Sequence, residues 1–293
     1  MLTIEELVHD IHDLIPLPKA YLRVQELVND PDSSLDDVTK VIMNDTALTS
    51  RILRIANSAY MALAAKVETV GRAVQVLGLN QVHDLALAGA AVGSLAKIQS
   101  DSLHISDYWR RSVYCAVVAR TIAKEAKLGS PERLFVAGLL HDTGTLVLAY
   151  REPGLYAELL DEAIRSGRAL ADVELERLGF TYADIGLALL ENWQLPEGIV
   201  NPVHHHVGAI ADAPKDIRTD AAVLHVGAVI ARAAMWRSEA DEPVPEFDVT
   251  ALEMTDIDRD RTEIIMQEAD EAVIEAMSLL LPNAGDATRK SAA

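Results

Sequence analysis

An imidazole beside a carboxylate, His141-Asp142, follows the apolar run Phe135-Val136-Ala137-Gly138-Leu139-Leu140 and precedes Thr143-Gly144. Neutral imidazole and ionised carboxylate both ligate divalent metals, and a bound metal acidifies water and clamps phosphate oxygens. That chemistry needs further imidazoles or carboxylates converging from other helices, with one coordination position left open. His204-His205-His206 is the obvious supply. Successive residues on a helix point about 100° apart, so at most two of these three face one site. Packing or surface exposure is the commoner fate of such a run.

These side chains must be positioned by helices. Almost every long segment repeats its apolar residues at helical period, and no alternating run competes with it. Thr3-Ile-Glu-Glu6 has capping-box form, and Pro18 opens a helix through Val28. Asn44-Asp45-Thr46 caps a helix to about Asn57. Helices over Val70–Leu77 and Gln81–Lys97 follow, with Gly78 as a C-terminal cap between them. A second block begins with a long helix from Ser106 to Lys127, and Ser130-Pro131-Glu132 starts the helix that carries His141-Asp142. Further helices fit Pro153–Ser166, Ala169–Leu178, Tyr182–Trp193, Pro196–His206 and Ala221–Trp236. The expected fold is all-α, with abundant Ala, Leu and Val and only 4% aromatics favouring close helix packing.

Charge narrows the function classes. The formal net charge is −19, which argues against a surface for nucleic-acid phosphates. Residues 1–150 hold 14 basic against 17 acidic residues, a net of −3; residues 151–293 hold 12 against 28, a net of −16. Only a local basic patch, Arg110-Arg111 with Arg120 and Lys124 on one helix face, could restore nucleic-acid binding. The single Cys115 cannot form an internal disulfide and reads as a small buried core residue, which fits a reducing cytoplasm. No signal peptide and no uncharged run of membrane-spanning length is read, so no membrane partner is expected. Glu239–Glu275 holds 14 acidic residues against Arg259 and Arg261, and is expected to be a solvated acidic extension over 239–282 whose last helix is peripheral. Residues 283–293 read as a disordered tail.

Two ordered blocks carry a family resemblance. The first is Leu17-Pro18, Leu27-Val-Asn-Asp-Pro31, Val41-Ile-Met-Asn-Asp45, Leu53-Arg-Ile-Ala-Asn-Ser58 and Ala73-Val-Gln-Val-Leu-Gly-Leu79. The second is Tyr108-Trp109, Gly138-Leu-Leu-His-Asp-Thr-Gly144, Leu195-Pro196 and His204-His205-His206. Together they resemble the HDOD domain, an all-helical bacterial signalling relative of the HD phosphohydrolases, over roughly residues 14–230. Thr46 stands where that family usually shows Pro. The resemblance implies two packed helical subdomains, 14–100 and a degenerate HD-like 104–230, with His141-Asp142 in the second or near their junction.

The same resemblance sets a ligand test. The first metal-binding His of a catalytic HD site should fall two residues after Trp109, where Arg111 stands; a guanidinium stays protonated and is no ligand. A further His should fall near Tyr182, and the last acidic ligand at Ala228. No metal or other cofactor is therefore expected; a divalent metal becomes possible only with replacement ligands such as Asp184 or His225. Arg111 should instead pair with Asp142 in a buried, charge-balanced knot. The implied function is a stand-alone, non-catalytic signalling or regulatory protein that meets signalling proteins in trans, or binds an anionic ligand such as a nucleotide second messenger. Arg111, His141, Asp142, Tyr182 and His205 are its candidate ligand contacts, and His141, Asp142, His204 and His205 the remnant metal candidates. The competing class is a divalent-metal phosphohydrolase or phosphodiesterase with a rebuilt site.

Overall fold

The computed structural model describes residues 2–9, 11, 15–58, 66–238 and 241–281. Among them no strand occurs, so the expected all-α class holds, and no helix is long and apolar enough to cross a membrane. The proposed tail, residues 283–293, lies outside the described residues. The chain divides into a smaller unit, Ile15–Lys97 with Glu271–Ala293, and a larger one, Met1–Leu14 with Ile98–Asp270.

Helix α1 (Ile4–Val8) begins with the capping box read from Thr3 and Glu6 and belongs to the larger unit, where the Arg151 guanidinium reaches the Glu6 carbonyl at 3.1 Å. The smaller unit then supplies α2 (Lys19–Asn29), α3 (Leu35–Met43), α4 (Thr46–Ala56), α5 (Val70–Leu77) and α6 (Leu79–Leu95). Asp45 caps α4 by accepting the Leu48 N–H at 2.9 Å, so Thr46 serves as well as Pro in the first helical position. Asn57 ends α4 and its carboxamide pairs with both backbone groups of Val67, at 2.7 and 2.6 Å. Gly78 turns the chain between α5 and α6 at φ +87°, a region open to glycine. The core is aliphatic: Val24, Ile42, Ile52, Leu85 and Leu87 are fully buried, and α6 is buried nearly all round.

The larger unit is organised on α7 (Ile105–Ala126), most of whose residues are buried. Helix α8 (Pro131–Leu140) lies along it and approaches so closely that a Cβ on Gly138 would stand 2.6 Å from the Ala116 Cα. The sequence places His141-Asp142 on this helix; the structure instead ends α8 at Leu140 and starts α9 (Thr143–Arg151) one residue after Asp142. Side chains explain the break. The His141 ring takes the Gly138 carbonyl at 2.7 Å and the Thr143 hydroxyl takes that of Leu140 at 2.9 Å, which satisfies groups a helix end leaves open.

Helices α10 (Pro153–Ser166), α11 (Leu170–Leu178), α12 (Tyr182–Asn192), α13 (Glu197–His205) and α14 (Arg218–Met235) complete the body, with α14 packed on α7. The acidic extension forms α15 (Val249–Thr255) and α16 (Arg259–Leu280). It is less solvated than its composition suggests: the Tyr114 hydroxyl donates to the Met266 carbonyl at 2.8 Å and to Asp270 at 3.1 Å. Cys115 is fully buried, as expected, and burial pushes its thiol pKa up.

Gly144 opens α9 directly against α12: a Cβ there would fall on the Tyr182 carbonyl oxygen. Backbone cannot yield as a side-chain tip does, so Gly144→Ala should destabilise the fold by about 2–4 kcal/mol. Urea unfolding of the variant beside Gly154→Ala, whose Cβ meets open space, measures the difference.

Candidate functional site

Four segments of the larger unit converge on Asp142: α7, the α8–α9 break, the start of α12, and α14 with the chain that follows it. The bend at His141-Asp142 turns both side chains inward, and both residues are fully buried. The expected contact with Arg111 is present. Arg111 Nε donates to Asp142 Oδ2 at 2.8 Å and Nη2 donates to the same oxygen. Thr145 donates its hydroxyl to Asp142 Oδ1 at 2.6 Å.

A second guanidinium joins them. Arg232, one helical turn beyond Ala228 on α14, has Nη2 3.8 Å from Asp142 Oδ1, and its Cζ lies 5.4 Å from the Tyr182 ring centroid. The counter-charge is Glu242: it accepts from Arg111 Nη1 at 3.2 Å and from Arg232 Nε at 3.0 Å. The result is a closed ring of alternating charge, Arg111–Asp142–Arg232–Glu242, with a formal sum of zero. Asp142 is held well below the usual carboxylate range by the two guanidiniums, chiefly Arg111, against the opposing effect of burial.

The histidines of the site share one arrangement. A carbonyl only accepts, so His141 Nδ1 carries the proton it donates to Gly138, leaving Nε2 as a lone pair. His206 likewise donates Nδ1–H to the Val203 carbonyl at 2.6 Å, and its Nε2 accepts the Tyr182 hydroxyl at 3.1 Å. His225 donates to the His206 carbonyl at 2.8 Å and accepts the Asp248 N–H at 2.9 Å. Burial lowers the pKa of all three, that of His141 to about 4, so each is neutral at neutral pH. The His141 and His206 rings stand edge to face, 5.4 Å apart, and the buried His141 Nε2 has no hydrogen-bond partner among the described residues.

The expected site is thus partly assembled and partly redrawn. Arg111, His141, Asp142 and Tyr182 come together. His205 does not join them: it is half-buried, its ring tilted at 55° against that of His204 with centroids 4.5 Å apart, while His206 takes the inward place. His204 pairs with Asp184 at 3.0 Å and also stands apart. The helical step of about 100° per residue decides which of the three faces inward, and the sequence lacks the phase to tell. Asp184 and His225, the possible replacement ligands, are both engaged elsewhere, Asp184 by His204 and the Thr181 cap, His225 by backbone. The basic patch on α7 does not form, because Arg111 and Arg120 turn into buried ion pairs while Arg110 and Lys124 stay exposed.

Arg232, Glu242 and Glu174 were not anticipated. Arg232 left a signal, a basic residue inside the apolar run 221–236; Glu242 left none among 14 acidic residues. Glu174 on α11 is buried, accepts the Tyr182 N–H at 2.7 Å, and has its pKa raised to about 8 by burial and by the charges of Glu242 and Asp142.

Among the described residues no three His, Cys, Asp or Glu side chains make a metal-ligand set. Asp142 has both oxygens hydrogen-bonded, and the Arg111 Nε and Arg232 Nη2 guanidinium nitrogens stand 2.8 and 3.8 Å from them.

A family model described as the HDOD domain matches residues 14–208. A curated relative from Treponema pallidum (strain Nichols), an uncharacterized protein, is 27% identical over 202 residues, covering 67% of this chain and 38% of its own length. The chain therefore spans about two fifths of that relative. An HDOD domain protein of unknown function from Geobacter sulfurreducens superposes with a TM-score of 0.71 at 22% identity, covering 94% of this chain and 96% of the other. A protein of Shewanella amazonensis SB2B, provisionally named a phosphohydrolase, gives a TM-score of 0.68 at 24% identity over 94% and 96% of the two chains. At these identities the structural likeness extends to the fold.

Glu174 generates a pH dependence of defined sign. In the unfolded chain its carboxyl ionises near 4.5, whereas in the fold it stays protonated to about 8. Between these values the folded state binds more protons, so Glu174's contribution is complete below the lower pKa and lost as pH rises through the window. Buried neutral histidines give the opposite slope at lower pH, so the comparison must be differential. The unfolding free energy of Glu174→Gln minus that of the natural protein should rise by on the order of a few kcal/mol from pH 5 to 8. A difference independent of pH would show that Glu174 is ionised in the fold.

Proposed function

This chain belongs to the HDOD family, and we propose that it works as a non-catalytic signal-transduction module of the bacterial cytoplasm, recognising an anionic ligand and passing its presence to a partner protein. One observation carries the reading: Arg111 and Arg232 converge on Asp142 where hydrolysis through a divalent metal would require a cation with an open coordination position. A guanidinium supplies positive charge and hydrogen-bond donors for an anion, but no exchangeable position on which water is activated. Asp142 orients Arg111 through two donors, and Thr145 fixes the carboxylate in turn. Tyr182 and His206 form the neutral, hydrogen-bonded wall beside Arg232. The reducing cytoplasm is supported by the single buried Cys115, and a nucleotide second messenger is the anion class best suited to paired arginines.

A second reading, a divalent-metal phosphohydrolase or phosphodiesterase, is favoured by one feature, the unpartnered His141 Nε2 with His206 beside it. Elemental analysis after incubation with Mn, Fe, Mg and Zn separates the two. The signalling reading expects well under one metal per chain, and phosphodiester hydrolysis no greater than that of His141→Ala. Stoichiometric metal and hydrolysis, both lost in His141→Ala, would transfer the function to the enzyme class.

A further inference from the structure

Glu242 closes the arginine pair, and it does so from an unusual position. It precedes a segment, residues 243–248, without regular secondary structure, in which Pro243 and Pro245 have no N–H to donate. The far end of that segment is anchored independently. Asp248 donates its N–H to His225 at 2.9 Å and caps α15 by accepting the Ala251 N–H at 3.0 Å. The near end is held at the site by the Glu242 carboxylate on Arg111 and Arg232.

Two cavities meet at this carboxylate. One, of about 340 Å³, is lined by Tyr156, Trp236 and Asp107 among others; the second, of about 600 Å³, by Tyr182, Phe247 and Arg168. Arg232 and Glu242 belong to the walls of both. Glu242 and Arg232 together form the shared wall, so departure of the Glu242 carboxylate would open the two spaces to one another beside Arg232. Charge then selects the replacement. Arg111, Arg232 and Asp142 without Glu242 sum to +1, which one negative charge neutralises and a dianion over-compensates. A phosphodiester carries one negative charge and two substituents, one for each cavity, and aromatic side chains stand in both.

Resting on the reading of the arginine pair as an anion site, we propose that Glu242 is a built-in anion displaced by a phosphodiester ligand with an aromatic heterocycle on each side, a linear dinucleoside monophosphate in chemical class. Displacement frees residues 242–247 while Asp248 stays pinned on His225, so the segment swings about that end. Ligand occupancy thereby becomes a change of surface that a partner can read.

The test uses adenylyl-(3′,5′)-adenosine as the diester probe and inorganic phosphate as the charge control, with affinities measured by calorimetry at low ionic strength. Glu242→Gln keeps the shape and removes the competing charge, so it should bind the dinucleotide about ten-fold more tightly or better than the natural protein. Arg232→Gln should not bind it, and phosphate should bind more weakly than the dinucleotide throughout. In the natural protein, saturating dinucleotide should speed amide exchange at Val244, Glu246 and Phe247 and leave Asp248 unchanged. Equal affinity of natural protein and a folded Glu242→Gln overturns the displacement while the anion reading stands. Equal affinity for phosphate overturns the two-armed ligand. No binding by either protein overturns both readings. Should Glu242→Gln not fold, exchange at 244–247 unaltered by dinucleotide overturns the displacement.

Discussion

The contact on which the larger unit depends is the two-donor pairing of Arg111 with Asp142. A carboxylate buried without solvent must be neutralised or paired, and the pair must satisfy its remaining donors and acceptors as well. Arg111 has a guanidinium edge left after meeting Asp142, and Glu242 takes it; Asp142 has an oxygen left, and Thr145 and Arg232 share it. Arg232 then needs Glu242. The requirement to satisfy one buried charge thus recruits three helices (α7, α9 and α14) and the chain after α14, which explains why that acidic segment folds back over the site despite a composition suited to solvent.

The fold class and most helix positions were legible because they follow from apolar spacing and capping residues, both local. Thr3, Asp45 and Gly78 each sit where their chemistry predicts a helix end. The break at His141-Asp142 was not legible, since apolar residues resume at Leu146-Val147-Leu148 and the side-chain bonds to the Gly138 and Leu140 carbonyls end the helix. The Arg111–Asp142 pair could be read because the motif supplied both positions. His206 could not be chosen over His205, because choosing needs the phase of α13 to within half a residue step. Glu242 lay beyond reach: nothing local distinguishes it from its acidic neighbours, and its role exists only through two arginines more than a hundred and about ten positions away in the chain.

Glycines mark where this architecture tolerates no side chain. Gly138 lets α8 approach the α7 backbone at Ala116, and Gly144 lets α9 start against Tyr182. These two contacts flank His141-Asp142 on either side and fix the height at which both side chains enter the interior. The histidine tautomers follow from the same backbone. Each ring nitrogen Nδ1 is occupied by a main-chain carbonyl, so orientation is set by the main chain, and Nε2 is left to accept the Tyr182 hydroxyl in His206 and the Asp248 N–H in His225.

The closed charge ring also constrains how the sequence can vary over generations. Replacing any one of Arg111, Asp142, Arg232 or Glu242 by a neutral residue leaves a net charge in the interior, whereas exchanging an oppositely charged pair keeps the sum at zero. Single substitutions there should be purged and compensated pairs retained, so the four positions form one unit of inheritance. A lineage drifting toward any other arrangement of charge at these positions would have to cross that barrier in concerted steps.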